Sequence, residues 1–331
     1  MARTLDKKTW LAERLLLNLG FVPKLFGFRD DDLYNLSQGR LKKWICGVEY
    51  YFGLTLKGTE ERVMDFPQKL VSKKLITVMH APFVADAYPK RIRVHKSFYR
   101  FVRLHVLARA DKNPWHRLPK VIQVTASLGA KKLNIHASEL LLATYPDKLF
   151  HELDKLSTHK KIILCLENNI RTPEDRKRDN LEWEATHNPI KLIEHIRKNN
   201  LENFFLTIDT GHLAGSQYDV AKKWDHIKQF VGKNEINNTI SHFHLVDYNG
   251  QKNFDAEIPG QGVIGKETFQ MMIDDLYHLQ YTGTISFEVA PINFYRNRHR
   301  LVAKTLRRYL MHTNNLRQEE DYILGIIKDL L

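Results

Sequence analysis

Cysteine is scarce in this chain: Cys46 and Cys165 are the only two among 331 residues, each within a separate apolar run. Two such thiols build no disulfide framework, so the expected compartment is a reducing cytoplasm. Long hydrophobic stretches are missing as well. No apolar run approaches the ~18 residues that span a membrane. The opening Met-Ala-Arg-Thr-Leu-Asp-Lys-Lys carries no signal-type apolar segment, so no membrane partner is expected. No Gly-x-Gly-x-x-Gly follows a candidate strand, which disfavours an open dinucleotide-binding sheet. Linkers and low-complexity tracts are absent too, which leaves one domain. Acidic residues are outnumbered, 38 against 51 Lys and Arg, for a formal net charge of +13. Such a surplus points to an anionic partner, either a phosphorylated small molecule or nucleic acid. The same surplus also arises where Lys is simply the default surface residue.

What is present is alternation. Short runs rich in Ile, Leu, Val and Phe occur at 44–52, 75–79, 132–136, 162–166, 204–208, 240–245 and 284–289. They have the composition of strands buried on both faces. In the first, Val48, Tyr50 and Phe52 alternate. An eighth and weaker strand is expected near 16–22. Helical periodicity separates them, at 30–43, 98–108, 188–198, 220–231 and 266–280. This order predicts parallel β-α units closed into a (β/α)8 TIM barrel of the usual size. Residues 1–315 would form the barrel. Residues 316–331 would add an amphipathic helix with Tyr322, Ile323, Ile326, Ile327 and Leu330 on one face. That helix packs on the barrel or on a second copy of the chain, which leaves a homo-oligomer open.

Six of the strands run into a His, Asp or Glu: His80, His136, Glu167, Asp209, His244 and Glu288. In such barrels the strands end on the face that carries chemistry. A barrel therefore brings all six groups to one rim. Clustered carboxylates are costly without a cation between them. Imidazole and carboxylate together suit zinc, manganese, iron or magnesium. A divalent-metal centre built by Glu167, Asp209, His244 and Glu288, joined by His80 and His136, is the expected reading. His242 lies two residues before His244 and shares its face, as a spare ligand or a core histidine.

Several strings carry a resemblance. They are His80-Ala-Pro-Phe, Leu166-Glu167-Asn168-Asn169, Ile208-Asp209-Thr210-Gly211-His212, His244-Leu-Val-Asp-Tyr-Asn-Gly250, Pro259-Gly-Gln-Gly262 and Ser286-Phe-Glu288-Val. Over roughly residues 45–310 the chain resembles the xylose-isomerase-like barrel superfamily, which holds sugar-phosphate isomerases and epimerases and the endonuclease IV type of abasic-site nuclease. In the isomerase branch the resemblance implies one metal on Glu167, Asp209, His244 and Glu288. The two glutamates then exchange the substrate proton, and His212 holds a substrate oxygen or makes a structural hydrogen bond. In the nuclease branch it implies three zincs, with His80, His136 and Glu167 on the first. The third calls for an Asp-x-His element, where this chain reads Asn253-Phe-Asp255-Ala-Glu257. Glu257 stands where a histidine is expected and is kept as a substrate contact.

Basic loops follow two of the strands. Lys90, Arg91, Arg93, Lys96, Arg100 and Arg103 are interleaved with aromatics, and Arg171, Arg176, Lys177 and Arg178 lie beyond Glu167. They fit a sugar phosphate, with Arg171 as a substrate contact. They fit a DNA backbone equally, and part of the first is simply a solvated helix face. The leading expectation is a metal-dependent sugar or sugar-phosphate isomerase or epimerase. Its alternative is a zinc-dependent abasic-site endonuclease.

Overall fold

The computed structural model describes residues 5–18, 30–51, 68–81, 118–137, 147–170, 185–248, 250, 258–287 and 316–331. Eight strands close on themselves in sequence order. They are β1 (Leu15–Leu17), β2 (Gly47–Tyr51), β3 (Ile76–His80), β4 (Lys132–His136), β5 (Ile163–Glu167), β6 (Phe204–Asp209), β7 (Ile240–His244) and β8 (Thr284–Ser286). Every neighbouring pair is parallel, and β1 closes the ring against β8 through Leu15↔Ile285 and Leu16↔Ser286. This is the (β/α)8 barrel that the alternation predicts.

The helices are α1 (Lys7–Ala12), α2 (Asp30–Gln38), α3 (Gln68–Ser72), α4 (Leu118–Ser127), α5 (Asp147–Lys160), α6 (Pro189–Lys198), α7 (Thr210–Gly215), α8 (Val220–Val231), α9 (Ile236–Thr239), α10 (Lys266–His278) and α11 (Leu316–Leu330). Local signals set several starts. Asn188 caps α6 by accepting from the Ile190 amide, with Pro189 in the first turn, where a missing N–H costs nothing. Asp219 caps α8 in the same way through the Lys222 amide. Val220, Trp224, Ile227 and Val231 of α8 are buried, the spacing of a stripe laid on the sheet. The helix expected over 30–43 breaks at Gly39 and continues as a 3-10 turn, Arg40–Lys43. A side chain at Gly39 would collide with Glu320, its Cβ only 2.0 Å from Oε1. The helix expected over 98–108 lies outside the described residues.

The terminal helix packs on the barrel. Ile323, Ile326, Ile327 and Leu330 of α11 are buried in the main core. Arg40 joins Glu320 at 3.0 Å and Asp321 at 2.8 Å. Among the described residues, no helix is long and apolar enough to cross a membrane.

The apolar core lies between strands and helices, where Val48, Leu164, Leu166, Leu206, Ile208 and Phe243 are fully buried. The interior of the barrel is different. Alternation turns Glu49, Asn134, His136, Glu167, Thr207, Asp209, His242 and His244 inward, and all are buried. Barrel interiors are usually filled by branched aliphatic side chains. Polar groups here must each find a partner, because an unsatisfied buried group costs a few kcal/mol. The pattern of those partners defines the site.

Candidate metal centre

The structure brings together six residues singled out by the sequence: His80, His136, Glu167, Asp209, His212 and His244. All are buried, with His80, Glu167 and His244 completely so. Five of them, His80, His136, Glu167, Asp209 and His244, are the last residues of β3, β4, β5, β6 and β7; for His80, Glu167 and Asp209 the strand runs one residue further than expected, and β7 stops one residue sooner. Glu288, Glu257 and Arg171 lie outside the described residues, as do the basic segments 90–103 and 171–178.

Glu167 is the centre of the arrangement. Its Oε2 accepts from Asn134 Nδ2 and faces His80 Nε2 at 3.1 Å and His136 Nε2 at 3.6 Å. Its Oε1 faces His244 Nδ1 at 3.3 Å and His212 Nδ1 at 3.4 Å. Asn134 is itself held, because its Oδ1 accepts from Thr207 Oγ1 at 2.7 Å. One carboxylate is thus shared by two groups of imidazoles. Burial opposes charge on Glu167, whereas the hydrogen bonds that converge on it favour the carboxylate.

The Asp-Thr-Gly-His string earns its shape at the start of α7. Asp209 Oδ1 accepts the His212 amide at 2.6 Å and caps the helix. That commits one oxygen and leaves Oδ2 directed at His244 Nδ1, 3.4 Å away. Asn168 clamps the same strand end, donating to the Asp209 carbonyl at 3.0 Å and accepting the Asp209 amide at 2.8 Å. The Asn168 carbonyl takes the Nδ1 proton of His212 at 2.7 Å, so a neutral His212 keeps its lone pair on Nε2. Burial pushes the Asp209 carboxyl up to about 6 and the His136 ring down to about 3.

These contacts test whether a cation fits. The Ala81 carbonyl can only accept, so at 2.8 Å it takes the Nδ1 proton of His80. The Nε2 lone pair then faces a Glu167 oxygen, and two acceptors 3.1 Å apart need a proton or a cation between them. His244 repeats the pattern. Its Nε2 donates to Glu49 Oε1 at 3.0 Å, leaving the Nδ1 lone pair opposite Glu167 Oε1 and Asp209 Oδ2. Neither of those two oxygens accepts a hydrogen bond. Ligand atoms about 2.0–2.2 Å from a shared tetrahedral ion lie about 3.3–3.6 Å from one another. The spacings of 3.3, 3.4 and 3.6 Å match this and exceed a good hydrogen bond. Among the described residues, three overlapping sets have ligand atoms within 4.8 Å of one another: Glu167, Asp209 and His244; His80, His136 and Glu167; and Glu49, His80 and His244. The donors fit a divalent ion.

Glu49 was not singled out in the sequence. Reading β2 through Val48 and Tyr50 attends to the outer face, whereas Glu49 and Tyr51 point inward. Tyr51 stacks on His80 with ring centroids 4.1 Å apart. The available signal was a carboxylate in the middle of an otherwise apolar barrel strand, a position that burial forbids without partners. His242 proves to be a core histidine, bound to Glu49 at 3.1 Å and to Thr284 Oγ1 at 2.8 Å. The Pro-Gly-Gln-Gly turn is fastened to the loop after β7 by Asp247, which accepts from the amides of Gly260, Gly262 and Ile264 at 3.1, 2.9 and 2.9 Å.

Comparison with known proteins agrees with this architecture. The family model described as xylose isomerase-like TIM barrel matches residues 60–310. Among solved structures, a D-psicose 3-epimerase from Clostridium cellulolyticum H10 with D-tagatose is similar at a TM-score of 0.56 and 10% identity, over 96% of this chain and 99% of that one. An IOLI protein with a bound zinc atom is similar at 0.55 and 13%, over 96% and 99%. An AP endonuclease, family 2, from Brucella melitensis is similar at 0.53 and 14%, over 84% and 93%. At these identities the likeness is one of fold. No curated protein matches the sequence.

Proposed function

Because the chain belongs to the xylose isomerase-like TIM barrel family, we propose that it is a divalent-metal-dependent sugar or sugar-phosphate isomerase or epimerase. The observation that carries this reading is the buried set of Glu167, Asp209 and His244, whose ligand atoms converge at the spacing of a shared ion. The sugar epimerases among the structural neighbours support it. Glu288, two residues beyond the end of β8 in sequence, completes the ligand set in this proposal. Zinc, manganese, iron and magnesium are all candidates.

A bound divalent cation supplies the Lewis acidity that makes the hydrogen beside a sugar carbonyl removable. The chain's own residues do the rest. Glu167 is pinned at one oxygen by Asn134, which orients the other. Glu167 and Glu288 form the pair that removes the proton and returns it. His212, with Nδ1–H committed to the Asn168 carbonyl, offers Nε2 to a substrate hydroxyl. Arg171 and Glu257 are the further substrate contacts in this proposal, and the positive charge favours an anionic sugar. The free thiols Cys46 and Cys165 suit a reducing, cytoplasmic setting. Residues 316–331 are taken as an appendage to a barrel spanning 1–315.

One observation favours a second reading. His80, His136 and Glu167 form a ligand set of their own, which a single-metal isomerase does not need and a nuclease of this superfamily uses. Two assays separate the readings. Metal-loaded protein in D2O is offered ketoses and ketose phosphates, and deuterium is sought at the carbon next to the carbonyl. Incorporation by the wild type and not by Glu167→Gln is the expected result. Incision of a duplex carrying one abasic site, with no exchange on any sugar, would instead establish the nuclease.

A further inference from the structure

Beneath the candidate ligands, the barrel interior holds a second polar layer centred on Glu49, in the middle of β2. Glu49 is 3% exposed. Its Oε1 accepts from His244 Nε2 at 3.0 Å. Its Oε2 accepts from Asn18 Nδ2 at 2.9 Å and Ser286 Oγ at 2.5 Å, and faces His242 Nε2 at 3.1 Å. Four strands, β1's end, β2, β7 and β8, therefore meet at one carboxylate.

The direction of each proton in this layer follows from its far end. Lys132, on β4, can only donate, and it does so to the Ser241 carbonyl at 2.5 Å and to Thr284 Oγ1 at 3.0 Å. The Thr284 carbonyl can only accept, so at 3.1 Å it takes the Nδ1 proton of His242, with the Thr284 hydroxyl 2.8 Å from the same nitrogen. Three donors, Asn18, Ser286 and His244, therefore converge on Glu49. Its Oε1 is committed to His244, which makes Glu49 a holder of that ring. Its hold decides which nitrogen of His244 bears the proton. With Nε2–H given to Glu49, the lone pair must lie on Nδ1, and Nδ1 is the atom opposite Glu167 Oε1 and Asp209 Oδ2 at 3.3 and 3.4 Å.

We propose that Glu49 is the positioning residue of the metal centre, fixing the ring angle and tautomer of His244 so that Nδ1 is presented to the ion. This rests on the reading that a divalent ion is held by Glu167, Asp209 and His244. Carboxylates that orient a ligating histidine typically contribute 10–100-fold to metal affinity.

The test uses the full chain. Zinc dissociation constants are measured by chelator competition for the wild type and Glu49→Gln, with thermal unfolding of both metal-free proteins alongside. The expected result is a 10–100-fold weaker zinc affinity in a variant that still folds. A folded variant with wild-type zinc affinity overturns the proposal. Should Glu49→Gln fail to fold, the wild type alone decides it. Nitrogen-15 NMR of histidine-labelled, metal-free protein should show His244 with its proton on Nε2, and a proton on Nδ1 overturns the proposal. A wild type that binds no zinc or manganese at all removes the metal reading itself. The tautomer measurement tells that failure apart from a failure of the Glu49–His244 link.

Discussion

Replacing Glu167 by Gln isolates the charge of the central carboxylate from its shape. The amide keeps an oxygen that can accept from Asn134 Nδ2, and its N–H groups can face the His244 Nδ1 lone pair now 3.3 Å from Oε1. The metal-free fold should therefore survive with a change of about 1 kcal/mol, the scale of one exchanged hydrogen bond. The metal should not. Losing a charged ligand ought to cost at least the roughly 100-fold seen at the upper end for outer partners. At free zinc 100 times the wild-type dissociation constant, binding stabilises the folded state by about 2.7 kcal/mol. For a chain of this size about 1 kcal/mol moves Tm by about 2 °C, so the wild type should gain about 5 °C. The variant at the same zinc sits near its own dissociation constant, gains about 0.4 kcal/mol, and should shift by less than about 1 °C. Differential scanning fluorimetry with and without zinc measures both. Equal zinc-induced shifts in the two proteins would refute the placement of Glu167 at the ion.

Other perturbations probe the scaffold. Gly262→Ala would bring a Cβ to 2.4 Å from the Tyr248 carbonyl and 2.5 Å from Asp247 Oδ1, and should destabilise by roughly 1–3 kcal/mol in chemical denaturation; an unchanged midpoint would contradict the tight seat of that turn. Phe243 is fully buried edge-on to Trp224 and Tyr281, at centroid distances of 5.6 and 5.3 Å. Phe243→Ala should cost about 3–5 kcal/mol, and a loss below 1 kcal/mol would show that the outer core is not packed as described. Burial pushes the Cys165 thiol up to about 11. The exposed Cys46 should label with iodoacetamide in the folded protein. Buried Cys165 should label only after unfolding, and mass spectrometry that found Cys165 modified in the native protein would overturn its placement.

Much of the fold was legible because parallel barrels write themselves locally. Strands buried on both faces appear as apolar runs, and helices such as 220–231 show their stripe and their capping Asp. The short β1 was the weakest signal, since three residues, Leu15–Leu17, are too few for any period to show. Strand ends were off by one at His80, Glu167 and Asp209, because a polar residue that ends an apolar run looks like loop until its neighbour strand pairs with it.

By itself the sequence determined that five strands, β3 to β7, deliver an imidazole or a carboxylate to one rim, since strand length and order are set by nearby residues. It could not determine which atoms face one another. That Asp209 spends one oxygen on the α7 cap and keeps the other for His244 depends on backbone geometry at the start of that helix. That Glu49 governs His244 depends on barrel closure, which puts residues 195 positions apart within 3.0 Å. Periodicity sees neighbours along a chain, whereas a proton's position on a buried ring is decided by whichever strands the closed sheet brings around it.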